Sequence, residues 1–151
     1  MSKIVIKMEP VTLVGGADVN RSALNRAIVH APSMVAADGG AAHILDQNLL
    51  PDAVIGDMDS LSDDLKARLP ADSFYAIDEQ DSTDFEKCLS RVDSALILGV
   101  GFMGERIDHE LSVYNTLVRY PEKHCIIVGD IDICVHAPRS LRLELEIGTR
   151  V

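Results

Sequence analysis

The sequence has no tryptophan, and only three phenylalanines and three tyrosines among its 151 residues. It offers no obvious aromatic cage for a ring-shaped ligand. No apolar run reaches the roughly 18–20 residues of a membrane span. The start, Met1-Ser2-Lys3, leads into a short strand-like run, without the long apolar region of a signal peptide. Cysteine is sparse: Cys88, Cys125 and Cys134 make an odd set with no Cys-x-x-Cys pair. They read as reduced, mostly buried thiols, and a cytoplasmic location is expected. Positive charge is scarce too, with 14 Lys and Arg against 24 Asp and Glu, a net charge of −10. That argues against a nucleic-acid or anionic-membrane surface, but leaves nucleotide binding open through a divalent cation. There is no Gly-x-x-x-x-Gly-Lys-Ser/Thr element, which excludes a P-loop kinase. No Ser–His–Asp or Cys–His set stands out, and His30, His124 and His136 read as structural or exposed.

The shortage of cations is most acute between Asp38 and Asp64. Seven aspartates fall there (Asp38, Asp46, Asp52, Asp57, Asp59, Asp63, Asp64) with no Lys or Arg. Carboxylates at the ends of buried strands are costly unless something positive binds. A metal ion carrying a phosphorylated ligand would supply that charge. A 151-residue chain is long enough for one domain with a sizeable core.

Short apolar runs predict strands at Lys3–Lys7, Val11–Gly15, Met34–Ala37, Ala53–Ile55, Ser73–Ile77, Ala95–Leu98, Cys125–Val128 and Ile131–His136. Helical spacing predicts Arg21–His30 with Asn20 as cap, Ala41–Asn48 stopped by Pro51, Ser62–Arg68, Ser82–Arg91 with a Thr83–Glu86 capping box, and Arg106–Tyr120. The alternation implies an α/β fold with a mainly parallel sheet. Leu141–Ile147 alternates apolar and charged residues, as a half-exposed antiparallel strand does. With nothing after it to pair, it reads as the opening of a second, β-rich domain. The expected division is 1–137 for the α/β domain and 138–151 for the first strand of the next.

Four acidic or glycine-rich turns follow strands: Asp38-Gly39-Gly40, Gly56-Asp57-Met58-Asp59, Asp78 to Asp84, and Gly99 to Asp108. In a parallel sheet all four meet on the carboxyl-end rim, where α/β proteins bind ligands. Aspartates at i and i+2 can share a hard cation, and Mg²⁺ suits one or two carboxylates with water and phosphate oxygens filling the rest. Asp and Gly also populate turns with no function at all. Asp84 suits a helix N-terminus by charge alone, and with Asp81 it could add carboxylates to a metal site. Gly99-Val100-Gly101-Phe102-Met103-Gly104 satisfies Gly-x-Gly-x-x-Gly, but follows about the sixth strand instead of the first, so a dinucleotide fingerprint is a weak reading. Arg106 at a helix start is a ready phosphate site, or else a solvated residue paired with Glu105 or Glu110. Asp108 one turn in could hold a metal or orient a substrate, and His109 beside it could touch ligand. Asp57-Met58-Asp59 is not a calcium loop, since Ser62 and Arg68 stand where Gly and Glu are needed.

Taken together, Ala37-Asp38-Gly39-Gly40-Ala41, Pro51-Asp52, Ile55-Gly56-Asp57-Met58-Asp59-Ser60, Gln80-Asp81-Ser82-Thr83-Asp84-Phe85-Glu86-Lys87, and Gly101 and Gly104 with Arg106-Ile107-Asp108-His109 resemble the thiamin pyrophosphokinase family in order and spacing. The resemblance covers roughly residues 11 to 151. It implies a three-layer Rossmann-like domain followed by a β-sandwich, a homodimer, and transfer of pyrophosphate from Mg-ATP to thiamin. It further implies Asp57, Asp59, Asp81 and Asp84 as the Mg²⁺ cluster. Asp38, Gly39, Gly40, Gln80, Asp81, Thr83 and His109 would contact nucleotide. Asp57, Asp59, Asp84, Arg106 and Asp108 would serve transfer. Where the family usually has Asn-Arg after Asp-Gly-Gly-Ala, this chain has Ala42 and His43. A nucleotide-binding domain of the same fold with another alcohol substrate or no activity, and a non-catalytic dinucleotide-binding module, are the alternatives.

Overall fold

A computed structural model describes residues 2–104 and 106–151. The order of elements is β1 (Val5–Lys7), β2 (Val11–Val14), α1 (Arg21–His30), β3 (Ser33–Ala37), α2 (Ala41–Leu45), β4 (Ala53–Gly56), α3 (Asp63–Ala67), β5 (Phe74–Ala76), α4 (Asp84–Arg91), β6 (Val92–Ser94), β7 (Ile97–Val100), α5 (Ile107–Arg119), β8 (Cys125–Val128) and β9 (Ile133–Val135). Strands β3, β4 and β5 pair in parallel, as do β2, β7 and β8, and β9 closes the second group antiparallel to β8. β2 lies alongside β3, so the seven strands run β5-β4-β3-β2-β7-β8-β9. β1 and β6 form a separate parallel pair. The expected mainly parallel α/β architecture is the one observed.

Strand alternation divides the core in two. Val11, Leu13, Val35, Ala37, Ile55, Ile97 and Ile127 pack on one face with Phe85, Cys88 and Leu89 of α4 and Val113 and Leu117 of α5. Val14, Ala36, Val54, Leu98 and Val100 point the other way, onto Leu24 and Ala27 of α1 and Ile44 and Leu45 of α2. Covering both faces explains why these strands are apolar throughout. The chain steps one way from β2 to β3 and returns to the other side of β2 with β7. The carboxyl ends of β2 and β7 therefore form the switch point, where a crevice opens.

Several expectations change in detail. Arg21–His30 is a helix as read, with Asn20 Oδ1 accepting from Ser22 N at 2.8 Å. The helix starting at Ala41 ends at Leu45, and Asn48 then takes a left-handed turn (φ 58°) ahead of Pro51. Thr83 caps α4 through Glu86 N, but Glu86 gives no return bond: its carboxylate accepts from Arg119 and Tyr120. The capping box is thus half formed, because a tertiary ion pair takes the glutamate. The short strand Val92–Ser94 escapes sequence reading. Leu141–Ile147 forms no strand: the segment is without regular structure and Leu141, Leu143, Leu145 and Ile147 are all exposed. Alternation supplies a face, but a strand also needs a neighbour to complete its hydrogen bonds. No helix among the described residues is long and apolar enough to cross a membrane.

Candidate functional site

The loops after the parallel strands converge on a cleft of about 520 Å³. Its walls include Ala37 at the end of β3, Asp57 after β4, Gln80, Ser82 and Thr83 ahead of α4, Asp84 and Phe85 in its first turn, Gly101 to Gly104 after β7, and Arg106 and His109 at the start of α5. Asp38-Gly39-Gly40 adjoins this wall through Ala37, and the other three turns singled out in the sequence contribute to it. A fifth does too: Gly16 and Ala17, after β2. The two glycine turns touch, since a Cβ on Gly101 (φ +76°) would meet Val19 at 2.6 Å and the Gly15 carbonyl at 2.7 Å. Ala17 N also donates to Gly101 O at 3.1 Å. Gly101 of the Gly-x-Gly-x-x-Gly run thus serves loop packing at the switch point, whereas a Cβ on Gly104 would meet nothing within 4 Å. A second cavity of about 360 Å³ lies on the far side of the same loop, lined by Asp18, Glu110 and Asp132 among others.

Beside the larger cleft, Asp38, Asp57 and Asp59 each bring a carboxylate oxygen within 4.8 Å of the others. Backbone geometry brings this about. Asp38 sits in the left-handed region (φ 42°), which aspartate tolerates better than most residues. Gly56 gives it room, for a Cβ there would lie 2.8 Å from Asp38 Cβ. Met58 is also left-handed (φ 66°), turning the chain between Asp57 and Asp59. Asp57 Oδ1 then accepts from Asp59 N at 3.4 Å, Ser60 Oγ donates to Asp59, and Ser60 N donates to Asp38 Oδ2 at 3.3 Å.

Asp38 is buried and its Oδ1 has no hydrogen-bond partner among the described residues. Burial pushes its carboxyl above the usual range, against the pull of Ser60, and the neighbouring charges of Asp84 and Asp57 add to the rise. A buried acceptor with nothing to accept, flanked by two more carboxylates, fits a hard divalent cation. Asp38, Asp57 and Asp59 are the residues that would hold it. Asp84 stands next to this group and not within it, and Asp81 is exposed and outside the cleft wall.

Lys87 explains Asp84's position. Its side chain is only 3% exposed, and Nζ lies 3.3 Å from Asp57 Oδ2 and 3.4 Å from Asp84 Oδ1. Burial alone would lower its pKa, but Asp57 and Asp84 outweigh that and raise it. Burial would likewise raise Asp57, and the Asp59 amide and Lys87 bring it below the usual range. Sequence reading gave Lys87 no role. The signal was a lysine on the buried side of a helix, one turn after Asp84, between Phe85 and Cys88. A buried lysine is rare without a carboxylate partner.

Arg106 is the N-cap residue of α5, and its guanidinium grips Asp108 with two bonds, 3.1 Å from Nε and 2.6 Å from Nη2. Both side chains are well exposed. The expected alternative partner Glu110 is otherwise engaged, accepting from Gly104 N and from Tyr114; Glu105 lies outside the described residues. His109 lines the cleft and Asp108 does not. Thr83 and Gln80 do, whereas Gly39 and Gly40 lie behind the wall, where Gly40 packs against the Val14 carbonyl.

A mainly parallel sheet covered on both faces, with a carboxylate cluster at its carboxyl rim, defines an α/β protein with a candidate cation site where such folds bind ligands. Residues 24–133 match the family model described as thiamin pyrophosphokinase, catalytic domain, and the chain belongs to that family. Two curated relatives from Arabidopsis thaliana, thiamine pyrophosphokinase 1 and thiamine pyrophosphokinase 2, are 33% and 32% identical over 145 residues. Each alignment covers 78% of this chain and 54% of the relative. The chain thus spans about half the length of the curated relatives it matches. A thiamin pyrophosphokinase from Geobacillus thermodenitrificans superimposes with a TM-score of 0.66 at 23% identity, covering 80% of this chain and 59% of that one. Yeast thiamin pyrophosphokinase gives 0.66 at 18% identity, over 81% and 59%. These structures share the fold.

Proposed function

We propose that the chain is the Mg-ATP-binding, catalytic part of a thiamine diphosphokinase, acting in the cytoplasm as a homodimer. Residues 138–151 would open its thiamin-binding β-domain, a sandwich that follows the Rossmann-like layers. The observation that carries this reading is the convergence of Asp38, Asp57 and Asp59 beside a cleft also walled by Arg106, Gln80 and Thr83. Curated relatives of that name support the choice of substrates.

In the reaction, the thiamin hydroxyl oxygen bonds to the β-phosphorus of ATP as the bond to the α,β-bridging oxygen breaks. AMP leaves, and the hydroxyl proton passes to solvent. Such transfer asks little covalent chemistry of the protein, mainly positioning and charge neutralisation. Bound Mg²⁺ would offset the charge on the transferring phosphates. Asp38, Asp57 and Asp59 would hold it, and Lys87 keeps Asp57 aimed into the cleft. Asp84, fixed by Lys87, and Asp81 would add negative field around the same ion. Arg106 would exchange Asp108 for phosphate oxygens, leaving Asp108 near the transferred group. Gln80, Thr83 and His109 would contact the nucleotide, and the turn Asp38-Gly39-Gly40 backs its site.

The test is AMP release that requires both thiamin and Mg²⁺. Asp57→Asn and Asp59→Asn are expected to abolish it while circular dichroism stays near wild type; Asp57→Asn should also melt lower, because it removes one of the two carboxylates paired with buried Lys87. Full activity in both variants would overturn the metal assignment.

A further inference from the structure

Residues 77–83, between β5 and α4, carry Gln80, Ser82 and Thr83 into the cleft wall yet have no regular structure. The segment is tied at its ends, by Ile77 N to Gly56 O at 2.8 Å and by the Thr83 cap. Between them stands Glu79, which is absent from the cleft wall. Ser82 Oγ donates to its Oε1, and Arg91 Nη2 donates to its Oε2 at 3.5 Å. Arg91 is buried at the last turn of α4, where Nη1 donates to Lys87 O at 2.9 Å and to Ser90 Oγ at 3.3 Å. Ser82, Glu79 and Arg91 therefore form a clip. It runs from the loop that opens α4 to the far end of that helix. The Ser82 hydroxyl, and then Arg91, hold the Glu79 carboxyl below the usual range. Gln80 has no comparable anchor of its own: its amide reaches only Asp78 O, at 3.5 Å.

We propose that Glu79 is a positioning residue that pre-orders this loop for the nucleotide, an inference that rests on the Mg-ATP reading above. Each residue that a ligand must order on binding costs it affinity. A clip that orders Gln80 and Ser82 beforehand removes that cost. Glu79 acts through its neighbours, so its loss is expected in nucleotide affinity and loop mobility, with the fold intact.

The experiment compares the wild-type chain with Glu79→Ala and Glu79→Gln. It uses amide hydrogen exchange over residues 78–83 without ligand, and calorimetric titration with Mg-ATP. Glu79→Ala should exchange faster in this segment alone and bind Mg-ATP about tenfold more weakly, as if one or two residues had to be ordered anew. Glu79→Gln, which keeps an oxygen for Ser82 but loses the charge facing Arg91, should fall between. Faster exchange with unchanged affinity overturns the proposal, and so does unchanged exchange. If the wild-type chain takes up no Mg-ATP while Glu79→Ala still loosens the loop, the nucleotide reading fails and Glu79's assignment to a nucleotide fails with it.

Discussion

Replacing Lys87 by methionine keeps an unbranched side chain that fills the place of the lysine stem and removes the ammonium. Two effects oppose one another. Methionine relieves the cost of burying a charge, since the lysine side chain is 3% exposed. It also leaves Asp57 and Asp84, now 3.3 and 3.4 Å from Nζ, facing each other without a cation. Breaking a fully buried pair costs about 3–5 kcal/mol, and an exposed one about 0–1. The Asp57 and Asp84 side chains are 20% and 48% exposed, so water takes up part of their charge. An intermediate loss of about 2 kcal/mol follows. For a chain of this size that is a drop of about 4–8 °C in Tm, read by scanning calorimetry in EDTA. Millimolar Mg²⁺ supplies the sharper readout. The variant's carboxylates lack their resident cation, so the metal should raise its Tm by more than it raises that of wild type. A variant that melts with wild type in EDTA and responds to Mg²⁺ no more strongly would refute the reasoning.

Asp38→Asn is expected to raise Tm by a few degrees in EDTA at pH 7, because it removes a buried negative charge that lies close to Asp84 and Asp57. Asp38's folded pKa is raised, so wild type gains stability as pH falls through that value towards the unfolded one. The gap between variant and wild type should therefore close in that acidic window; a gap independent of pH would contradict the assignment. The same substitution should abolish stabilisation by Mg²⁺. Gly40→Ala would place a Cβ 2.0 Å from the Val14 carbonyl oxygen, a backbone atom that cannot swing away. A loss of about 3 kcal/mol is expected in chemical denaturation, and a change below about 0.5 would show that the turn can shift.

The fold was legible because its signals are local. Strand–helix alternation, apolar strands and turn residues predict both faces of the sheet, and Arg21–His30 matches residue for residue. What escaped depends on partners distant in sequence. Glu86 has the spacing of a capping-box residue, but Arg119 and Tyr120, more than thirty positions on, take its carboxylate. Leu141–Ile147 has a strand's alternation but no partner in space. At the site, sequence reading grouped Asp57 and Asp59 with Asp81 and Asp84, since acidic residues near a helix start look alike. The left-handed backbone at Asp38 and Met58 brings Asp38 into the group instead. Lys87, the counter-charge of Asp57, lies thirty residues further along the chain, outside the acidic stretch from Asp38 to Asp64.

The two cations at the cleft serve different ends, and their exposure tells which is which. Lys87 is buried between two carboxylates, so releasing it would strand a charge in the protein; it is a fixed part of the rim. Arg106 and Asp108 are 64% and 62% exposed, and so exposed a pair adds little to stability. Opening it costs little, whereas a guanidinium–phosphate bond contributes about 1.5–3 kcal/mol. On the proposed reading, Arg106 would be held by Asp108 until a polyanion takes its place. Arg106→Ala should weaken Mg-ATP binding about tenfold, close to 1.4 kcal/mol. Asp108→Ala, which frees the guanidinium, should leave binding unchanged or tighter while lowering turnover. Equal losses of affinity in the two variants would mean that the pair acts as one structural unit, and the exchange of Asp108 for phosphate would have to be abandoned.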